Sequence, residues 1–395
     1  MKIGVLILGS LFKIGGYQVF AYNLMLRLSM RGQNVVLIVR SDEFRKNYDL
    51  YKELPFSVVP IKNSSERFVK YFPYFSNREL RNIVTKNNIN ILQVIGAYPA
   101  GYLAASLNKP DIPVVLRTHG EDVQIHEEIG YGLRLNKKLD IKIRYVLNSV
   151  NRLIALTTTM YNSYLDMGVN QDNISLVPNG VDIDDFSVDE KFNSEHVKNK
   201  YGIRNNIPFL LTVGRYHKKK GFDNIPKIAK QLKNMDIDFN WLVVGDGTEN
   251  ILPIVNKLDL KDVITVIPAI GIEQKQSSFK FPGDDLIDLY KSSDIYVFPS
   301  LLEGFPRVIL EAMAASTPIV TTDAEGCVDL VENGINGFIS PKNDYINMAR
   351  SIYKIVQNPR LMIDMGIASK EKSLQYDWDI VVDKYDQIYQ ELLLK

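Results

Sequence analysis

Short apolar runs, rich in β-branched residues, recur along the chain and are separated by longer amphipathic stretches. IGVLIL (3–8), NVVLIV (34–39), FSVVPI (56–61), NILQVI (90–95), PVVLRT (113–118) and RLIAL (152–156) are predicted strands. They are apolar at nearly every position rather than at alternate ones. A strand reads that way when both of its faces are covered, as in a parallel sheet flanked by helices. YQVFAYNLMLRLSMRG (17–32) reads as one such helix, closed by Gly32. After NISLVPNGVDIDDF (173–186) the pattern begins again, with FLLTVGR (209–215), NWLVVGDG (240–247), VITVIP (263–268), DIYVFPS (294–300) and PIVTTD (318–323). Two doubly wound α/β domains are predicted, joined near 179–187. Ligands bind beyond the carboxyl ends of the strands in such sheets, so two facing domains predict a cleft. YDWDIVVDKYDQIYQELLLK (376–395) predicts a terminal amphipathic helix.

Composition narrows the classes. A chain of 395 residues exceeds one ordinary core and suits two domains. A net charge of +1 argues against a dedicated nucleic-acid binder. The single cysteine, Cys327, excludes an internal disulfide framework and fits a reducing compartment, so a cytoplasmic location is expected. Four scattered histidines and that cysteine make a structural zinc site unexpected. The opening IGVLIL is too short and too soon followed by glycines for a signal peptide, and a buried first strand is the better reading. No apolar stretch approaches the roughly 20 residues that span a bilayer.

Four loops at or near predicted strand ends carry candidate chemistry. In KIGGYQVF (13–20), Gly15 and Gly16 let the backbone approach a ligand, and the next helix points free N–H groups at it. The spacing is not that of a dinucleotide site, and both a tight turn and a phosphate site fit it. VGRYHKKKGFD (213–223) carries Arg215, Lys218, Lys219 and Lys220 before a glycine. A planar fork and point charges suit a diphosphate, although a solvated basic turn has the same composition. DIYVFPSLLEGFPRVILEAMA (294–314) sets Glu303 in a loop and Glu311 on the helix that starts near Pro306. Their separation is about 2.2 helical turns, so they form no simple helical pair. One carboxylate projects from the loop and the other from the helix flank. Carboxylates accept hydrogen bonds from vicinal hydroxyls, and the helix start between them favours an anion. A general acid–base pair of the glycoside-hydrolase kind is the competing reading. LRTHGEDVQ (116–124) offers His119 as a hydrogen-bonding group or a plain turn residue. VDIDD (181–185) looks like a DxD metal motif but lies at the predicted joint, and no metal is expected.

Taken in order, GR-x4-KG (214–221), VVGDG (243–247), DLYKSSDIYVFPS (288–300), EGFP-x4-EAMA (303–314), TPIV (317–320) and ENGINGFI (332–339) resemble the retaining glycosyltransferases of the large family 4. PNGVD (178–182), THGED (118–122) and Gly15-Gly16 match as well. The resemblance covers most of the chain and is densest over 209–340. It implies the GT-B fold: an acceptor-side Rossmann-like domain over 1–180, rejoined by a crossover helix 377–395, and a nucleotide-sugar domain over 181–376. It further implies that Arg215 and Lys220 bind the donor diphosphate, that Glu311 holds the ribose, and that Glu303 holds the transferred sugar. Gly214, Gly245, Gly304, Phe305, Pro306, Arg307 and Val308 would line the donor, Gly16 would approach its phosphate, and His119 would contact its sugar or phosphate. The substrate would be a UDP- or GDP-linked sugar, with no cofactor and no metal. The acceptor hydroxyl would attack on the face that the leaving phosphate vacates, and that phosphate would take the proton.

Several positions depart from the family pattern. Pro306 removes a backbone N–H, Arg307 stands where asparagine is frequent, and AEGC (324–327) replaces the usual glycine pair. The stretch 267–286, near the expected nucleotide base, is longer than usual and leaves the base open.

The acceptor side is basic and aromatic. ERFVKYFPYFSNREL (66–80) interleaves aromatics with Arg67, Lys70 and Arg78, and 134–152 holds Arg134, Lys137, Lys138, Lys142, Arg144 and Arg152. Residues 1–200 contain 25 basic and 20 acidic side chains, against 22 and 26 in the remainder. Such a surface suits an anionic membrane face and a glycan or lipid-linked acceptor; a solvated helix is the plainer alternative. An epimerase or phosphorylase on the same architecture, or a non-catalytic nucleotide-sugar-binding subunit, are the other classes considered.

Overall fold

Apolar runs without alternation should build parallel sheets, and they do. The computed structural model describes residues 1–12, 15–105, 112–189, 192–270, 273–275 and 278–394. The chain divides into two compact units, Met1–Asn179 with Gln274–Ser278 and Asp379–Lys395, and Gly180–Glu273 with Phe279–Trp378.

The first unit contains β1 (Lys2–Ile7), β2 (Asn34–Arg40), β3 (Ser57–Ile61), β4 (Ile91–Ile95), β5 (Val114–Arg117), β6 (Arg152–Ala155) and β7 (Ile174–Leu176). They form one sheet in the order β3-β2-β1-β4-β5-β6-β7, with parallel pairing throughout. Val5 of β1 stands between Leu37 of β2 and Gln93 of β4. Strand order reverses between β1 and β4, so the loops that follow these two strands border the crevice where ligands bind in open α/β sheets. The apolar run at the start of the chain is thus a core strand: Ile3, Val5 and Leu6 are fully buried.

The second unit repeats the plan with β8 (Phe209–Val213), β9 (Asn240–Val244), β10 (Ile264–Ile267), β13 (Ile295–Phe298), β14 (Ile319–Thr322) and β15 (Gly337–Ser340), in the order β10-β9-β8-β13-β14-β15. A two-stranded ribbon, β11 (Glu273–Lys275) with β12 (Ser278–Lys280), intervenes in sequence. Here the reversal falls between β8 and β13. The loops after these strands are the basic GR-x4-KG stretch and the loop that carries Glu303.

The terminal helix Trp378–Leu393 packs its Val381, Val382, Tyr385 and Tyr389 into the first unit's core. Its tyrosines satisfy polar groups that the sheet buries. Tyr389 Oη donates to Gln93 Oε1 at 2.8 Å, and Arg117 Nη1 donates to Tyr385 Oη at 3.0 Å. Arg117 is 1% exposed; its guanidinium lies 3.4 Å from the Phe20 ring centre and also bonds the Val177 carbonyl oxygen and Asn179. No carboxylate pairs with it among the described residues, and burial lowers its pKa below the ordinary arginine value.

The strands β7 and β15 and the ribbon are absent from the strands that the sequence pattern predicts. β7 lies just before the stretch 179–187 read as the interdomain joint, and β15 opens on Gly337. Three or four residues at a sheet edge are too few to display a period.

Removing the Tyr385 hydroxyl leaves a buried charge with one acceptor fewer. Tyr385→Phe is expected to destabilise by about 1.5–3 kcal/mol, read as an earlier urea midpoint for loss of far-UV circular dichroism. An unchanged midpoint would show that the hydroxyl carries none of the load.

Candidate active site

In the second unit the site is built by glycines that let three loops touch. The chain leaves β8 at Gly214 (φ 156°) and β9 at Gly245 (φ 152°), and a Cβ on Gly245 would sit 1.9 Å from the Gly214 carbonyl oxygen. Lys218–Lys220 form a single 3-10 turn, closed by Gly221 in the left-handed region (φ 63°). A Cβ on Gly221 would lie 2.0 Å from the Pro299 carbonyl oxygen, so the basic loop rests directly on the loop after β13. Hydrogen bonds fasten the two. The Leu301 N–H donates to the Lys219 carbonyl oxygen at 2.7 Å, and Ser300 Oγ lies 2.9 Å from that oxygen and 2.8 Å from Glu303 Oε1.

That seam brings two predicted site residues into contact. Lys220 Nζ stands 2.6 Å from Glu303 Oε1 and 5.0 Å from the centre of the Phe298 ring. Burial works to raise the Glu303 carboxyl, but Lys220, Lys219 and the Ser300 hydrogen bond together hold it below its usual range. Burial also lowers the Lys220 ammonium, with Glu303 opposing the shift. The short contact favours the ionised pair.

The helix Arg307–Ala314 begins directly after Pro306, whose carbonyl oxygen accepts from the Ile309 N–H at 3.0 Å, which leaves the Arg307 and Val308 amides as its first free donors. Glu311 lies one turn along, 7% exposed. Its Oε1 accepts from Arg307 Nη2 at 3.1 Å and its Oε2 from Tyr290 Oη at 3.0 Å. Burial raises the Glu311 carboxyl, and these two donors only partly offset it. Phe305 is buried with its ring edge-on to Tyr376, at 5.7 Å between centres. Gly326 (φ 79°) turns the chain beneath Gly304: a Cβ there would meet the Gly304 carbonyl oxygen at 2.8 Å. In the AEGC stretch, then, one glycine of the usual pair is sterically required. Cys327 next to it is fully buried, and burial and the Glu303 charge push its thiol up to about 12. Arg215 is exposed and makes no hydrogen bond or ion pair among the described residues.

Arg307, expected among the residues lining the donor, has its guanidinium on Glu311. Sequence reasoning missed Ser300, Tyr290 and Gly221, whose roles arise from pairing across loops. Their sequence signal is only their place within DLYKSSDIYVFPS and KKKG.

In the first unit the crevice loops after β1 and β4 are joined by a third, after β5. Lys13 and Ile14 of the predicted glycine loop lie outside the described residues. Gly15 is the extended residue that caps the helix Gly16–Met30, and a Cβ there would meet Gln18 Oε1 at 2.4 Å; around Gly16 there is open space. His119 packs its ring 4.8 Å from that of Tyr17. Its Nε2 is shielded from solvent and has no hydrogen-bond partner among the described residues. Burial, with Arg117 adding to it, lowers the imidazole pKa to about 3, so the ring is neutral at pH 7. Asp122 orients it from below. This carboxylate is 4% exposed and accepts from the backbone N–H groups of His119 and Ala97, each at 3.0 Å. Gly96 (φ 93°) makes the turn that presents Ala97.

His119, Gly15 and Gly16 therefore belong to the first unit, and Gly214, Arg215, Lys220, Gly245, Glu303–Val308 and Glu311 to the second. Among the described residues no group of three or more histidine, cysteine, aspartate or glutamate side chains gathers as a metal site would need.

Two parallel doubly wound sheets, each with glycine-rich loops at its switch point, define a GT-B architecture. The solved Anabaena Alr3699/HepE, in complex with UDP, superposes with a TM-score of 0.81 over 99% of this chain and 100% of that one, at 17% identity. The family model for "Glycosyl transferases group 1" matches residues 193–372, and that for "Glycosyltransferase Family 4" matches 14–185. The glycosyltransferase MJ1178 of Methanocaldococcus jannaschii is 26% identical over 370 residues, covering 92% of this chain and 94% of its own. The UDP-Gal:alpha-D-GlcNAc-diphosphoundecaprenol alpha-1,3-galactosyltransferase of Escherichia coli is 26% identical over 293 residues, covering 71% and 72%. The chain belongs to the group 1, family 4 glycosyltransferases.

The Asp122 carboxyl, pushed by burial up to about 6, yields a signed prediction. A folded pKa above the unfolded value means that its stabilising contribution is complete below about pH 4 and is lost as pH rises through about 6. Asp122→Asn keeps an acceptor oxygen and cannot ionise. The variant should gain on the order of 2–3 kcal/mol relative to the natural chain between pH 4 and pH 8. Melting curves at the two pH values test this, and an equal offset at both would refute it.

Proposed function

We propose that this chain is a retaining glycosyltransferase that moves a sugar from a UDP- or GDP-linked donor to a glycan or lipid-linked acceptor at the cytoplasmic face of a membrane. The observation that carries this reading is the Lys220–Glu303 pair, 2.6 Å apart at the second unit's switch point and next to a helix start. A cation and outward amides suit a diphosphate, and a carboxylate at each end of EGFPRVILE suits hydroxyl-bearing rings. On binding, the diphosphate shares Lys220 with Glu303, and Arg215 supplies a second cation. Glu311 takes the ribose hydroxyls and Glu303 a hydroxyl of the sugar.

In the reaction, the bond from the anomeric carbon to the phosphate oxygen breaks, and an oxocarbenium-like centre develops. The acceptor oxygen bonds to that carbon on the same face, and its proton passes to the departing phosphate. Lys220 and the helix amides stabilise the charge gathering on the diphosphate, without need of a metal. The neutral imidazole of His119 is suited to hydrogen-bond a sugar hydroxyl. The Escherichia coli relative is named for a diphosphoundecaprenol acceptor, which supports a lipid-linked acceptor here.

Lys220→Ala should lower turnover on the order of a hundred- to a thousandfold, about 2.7–4 kcal/mol in the barrier. The assay is nucleotide release from a panel of UDP- and GDP-sugars with and without acceptor. Acceptor-dependent release supports transfer. An epimer formed from donor alone, or tight binding without any turnover, would refute it.

Membrane contact is part of the proposal. Tyr71, Phe72, Tyr74 and Phe75 are 55–71% exposed beside Lys70, and Ile141 on the basic helix Lys137–Ser149 is 69% exposed. Lys142 Nζ lies 4.4 Å from the Tyr102 ring centre, and Lys70 is close enough to help lower its pKa, burial being the larger cause. An aromatic surface bearing lysines suits the headgroup region of an anionic bilayer. No helix among the described residues is long and apolar enough to cross one. The chain should sediment with phosphatidylglycerol vesicles and not with phosphatidylcholine vesicles, and Phe72→Ser with Phe75→Ser should weaken that binding. Equal sedimentation with both vesicles would count against this contact.

A further inference from the structure

The helix Arg307–Ala314 opens on a cation, which its own stability does not explain. A helix start carries the positive end of the backbone dipole, so an acidic residue is favoured there and arginine is not. Its first turn holds no acidic residue. The Arg307–Glu311 pair also runs in the weaker of the two orders, cation before anion along the helix. The arrangement piles positive charge in front of helix amides that already attract an anion.

The guanidinium is meanwhile only partly used. Nη2 reaches Glu311 Oε1 at 3.1 Å, while Nε is buried with no acceptor among the described residues. The side chain is 14% exposed, so bulk water does little to satisfy it. Tyr290 holds the other oxygen of Glu311 from a different helix, Asp284–Ser292, which keeps the carboxylate, and with it the arginine, in one place.

We propose that Arg307 is a specificity-determining residue of the donor site, held on the helix flank by Glu311 so that its unused N–H groups take an anionic oxygen of the donor. The proposal rests on the donor-site reading above. If Glu311 holds the ribose, a cation one hydrogen bond away adjoins the base or the phosphates. The bases carry no anionic oxygen at neutral pH. The anion is then an oxygen of the diphosphate or, where the transferred sugar is a uronic acid, its carboxylate. A relative with asparagine at this place would lack the planar fork that pairs with either group.

Calorimetric titration of the full chain and of Arg307→Asn tests this with UDP, uridine, UDP-glucose and UDP-glucuronate, and with GDP and guanosine. Where the anion is the diphosphate, the expected result is a Kd for UDP or GDP raised about tenfold or more, with the nucleoside unchanged within about twofold, because the nucleoside keeps the ribose and lacks the anion. Loss shared by UDP, UDP-glucose and UDP-glucuronate assigns the contact to the diphosphate; loss confined to UDP-glucuronate assigns it to the sugar carboxylate. A parallel fall for UDP and uridine would mean that Arg307 only shapes Glu311, and would overturn the proposal. So would a variant that binds every ligand as the natural chain does. A natural chain that binds no nucleotide would instead overturn the donor site itself, and this inference with it. Should the asparagine variant melt below the assay temperature, Arg307→Lys keeps the charge without the fork and is expected to show the same contrast between nucleotide and nucleoside.

Discussion

Close approach of backbones at the carboxyl ends of the second sheet's central strands is the constraint from which the candidate site follows. Gly245 and Gly221 sit where a single methyl group would strike a carbonyl oxygen, that of Gly214 at 1.9 Å and that of Pro299 at 2.0 Å. Such contacts cannot be relieved by rotating a side chain, because the opposing atom is backbone. They bring the basic loop onto the loop after β13, and only then can a lysine from one loop meet a glutamate from the other. The chemistry is therefore placed by absent side chains before it is carried out by present ones. Gly326 extends the same logic beneath Gly304 and so sets the floor under the Glu303 loop.

The first unit solves a similar problem with a buried acid. Asp122 gathers amides from the loops after β4 and β5, so two strand ends share one anchor. A carboxylate that accepts backbone N–H bonds is usually held low; here burial outweighs those bonds and its pKa rises. Arg117 is the counterpart, a buried cation held by a ring face, a tyrosine and carbonyl oxygens, with its Nε left without an acceptor among the described residues. Asp122 grips the His119 backbone, while burial, with the Arg117 charge adding to it, keeps the ring neutral. A neutral imidazole can offer either a donor or an acceptor to a sugar hydroxyl, which a charged one cannot.

Much of this was legible in the chain. Apolar runs without alternation announced parallel sheets, and the restart near residue 209 announced the second one. Three of the four loops expected to matter follow strands at the two reversals of strand order, and the fourth, that of His119, follows β5; no sequence period encodes where the reversals lie. A local signal, Pro306 near a helix start, placed the helix that carries Glu311. What stayed hidden is non-local. Tyr290 reads as one more core aromatic until its hydroxyl is seen on Glu311, and Ser300 as a strand-end residue until it touches both Lys219 and Glu303. Arg307 was read only as a donor-lining residue standing where asparagine is frequent, with no sign of its bond to Glu311 four residues on. One side chain can occupy a ligand's place in the free protein, and spacing alone does not reveal it.

Energetics decide why such pairs persist. Taking an ammonium and a carboxylate out of water costs several kcal/mol per ion, and their attraction roughly returns it. Apolar residues of similar volume would hold the same seam at least as firmly, and the surrounding Phe298 and Leu302 show that the core could supply them. Lys220–Glu303 and Arg307–Glu311 are therefore poorly explained as devices for stability. They are better explained as charges kept apart from water and ready for exchange, with partners that a bound ligand can share. On the proposed function, a lysine that is to neutralise a diphosphate cannot wait unpaired in a buried place, and a glutamate that is to receive a hydroxyl cannot either. Pairing them with each other keeps both ionised and in position until a substrate with matching charge and hydroxyls takes up part of each.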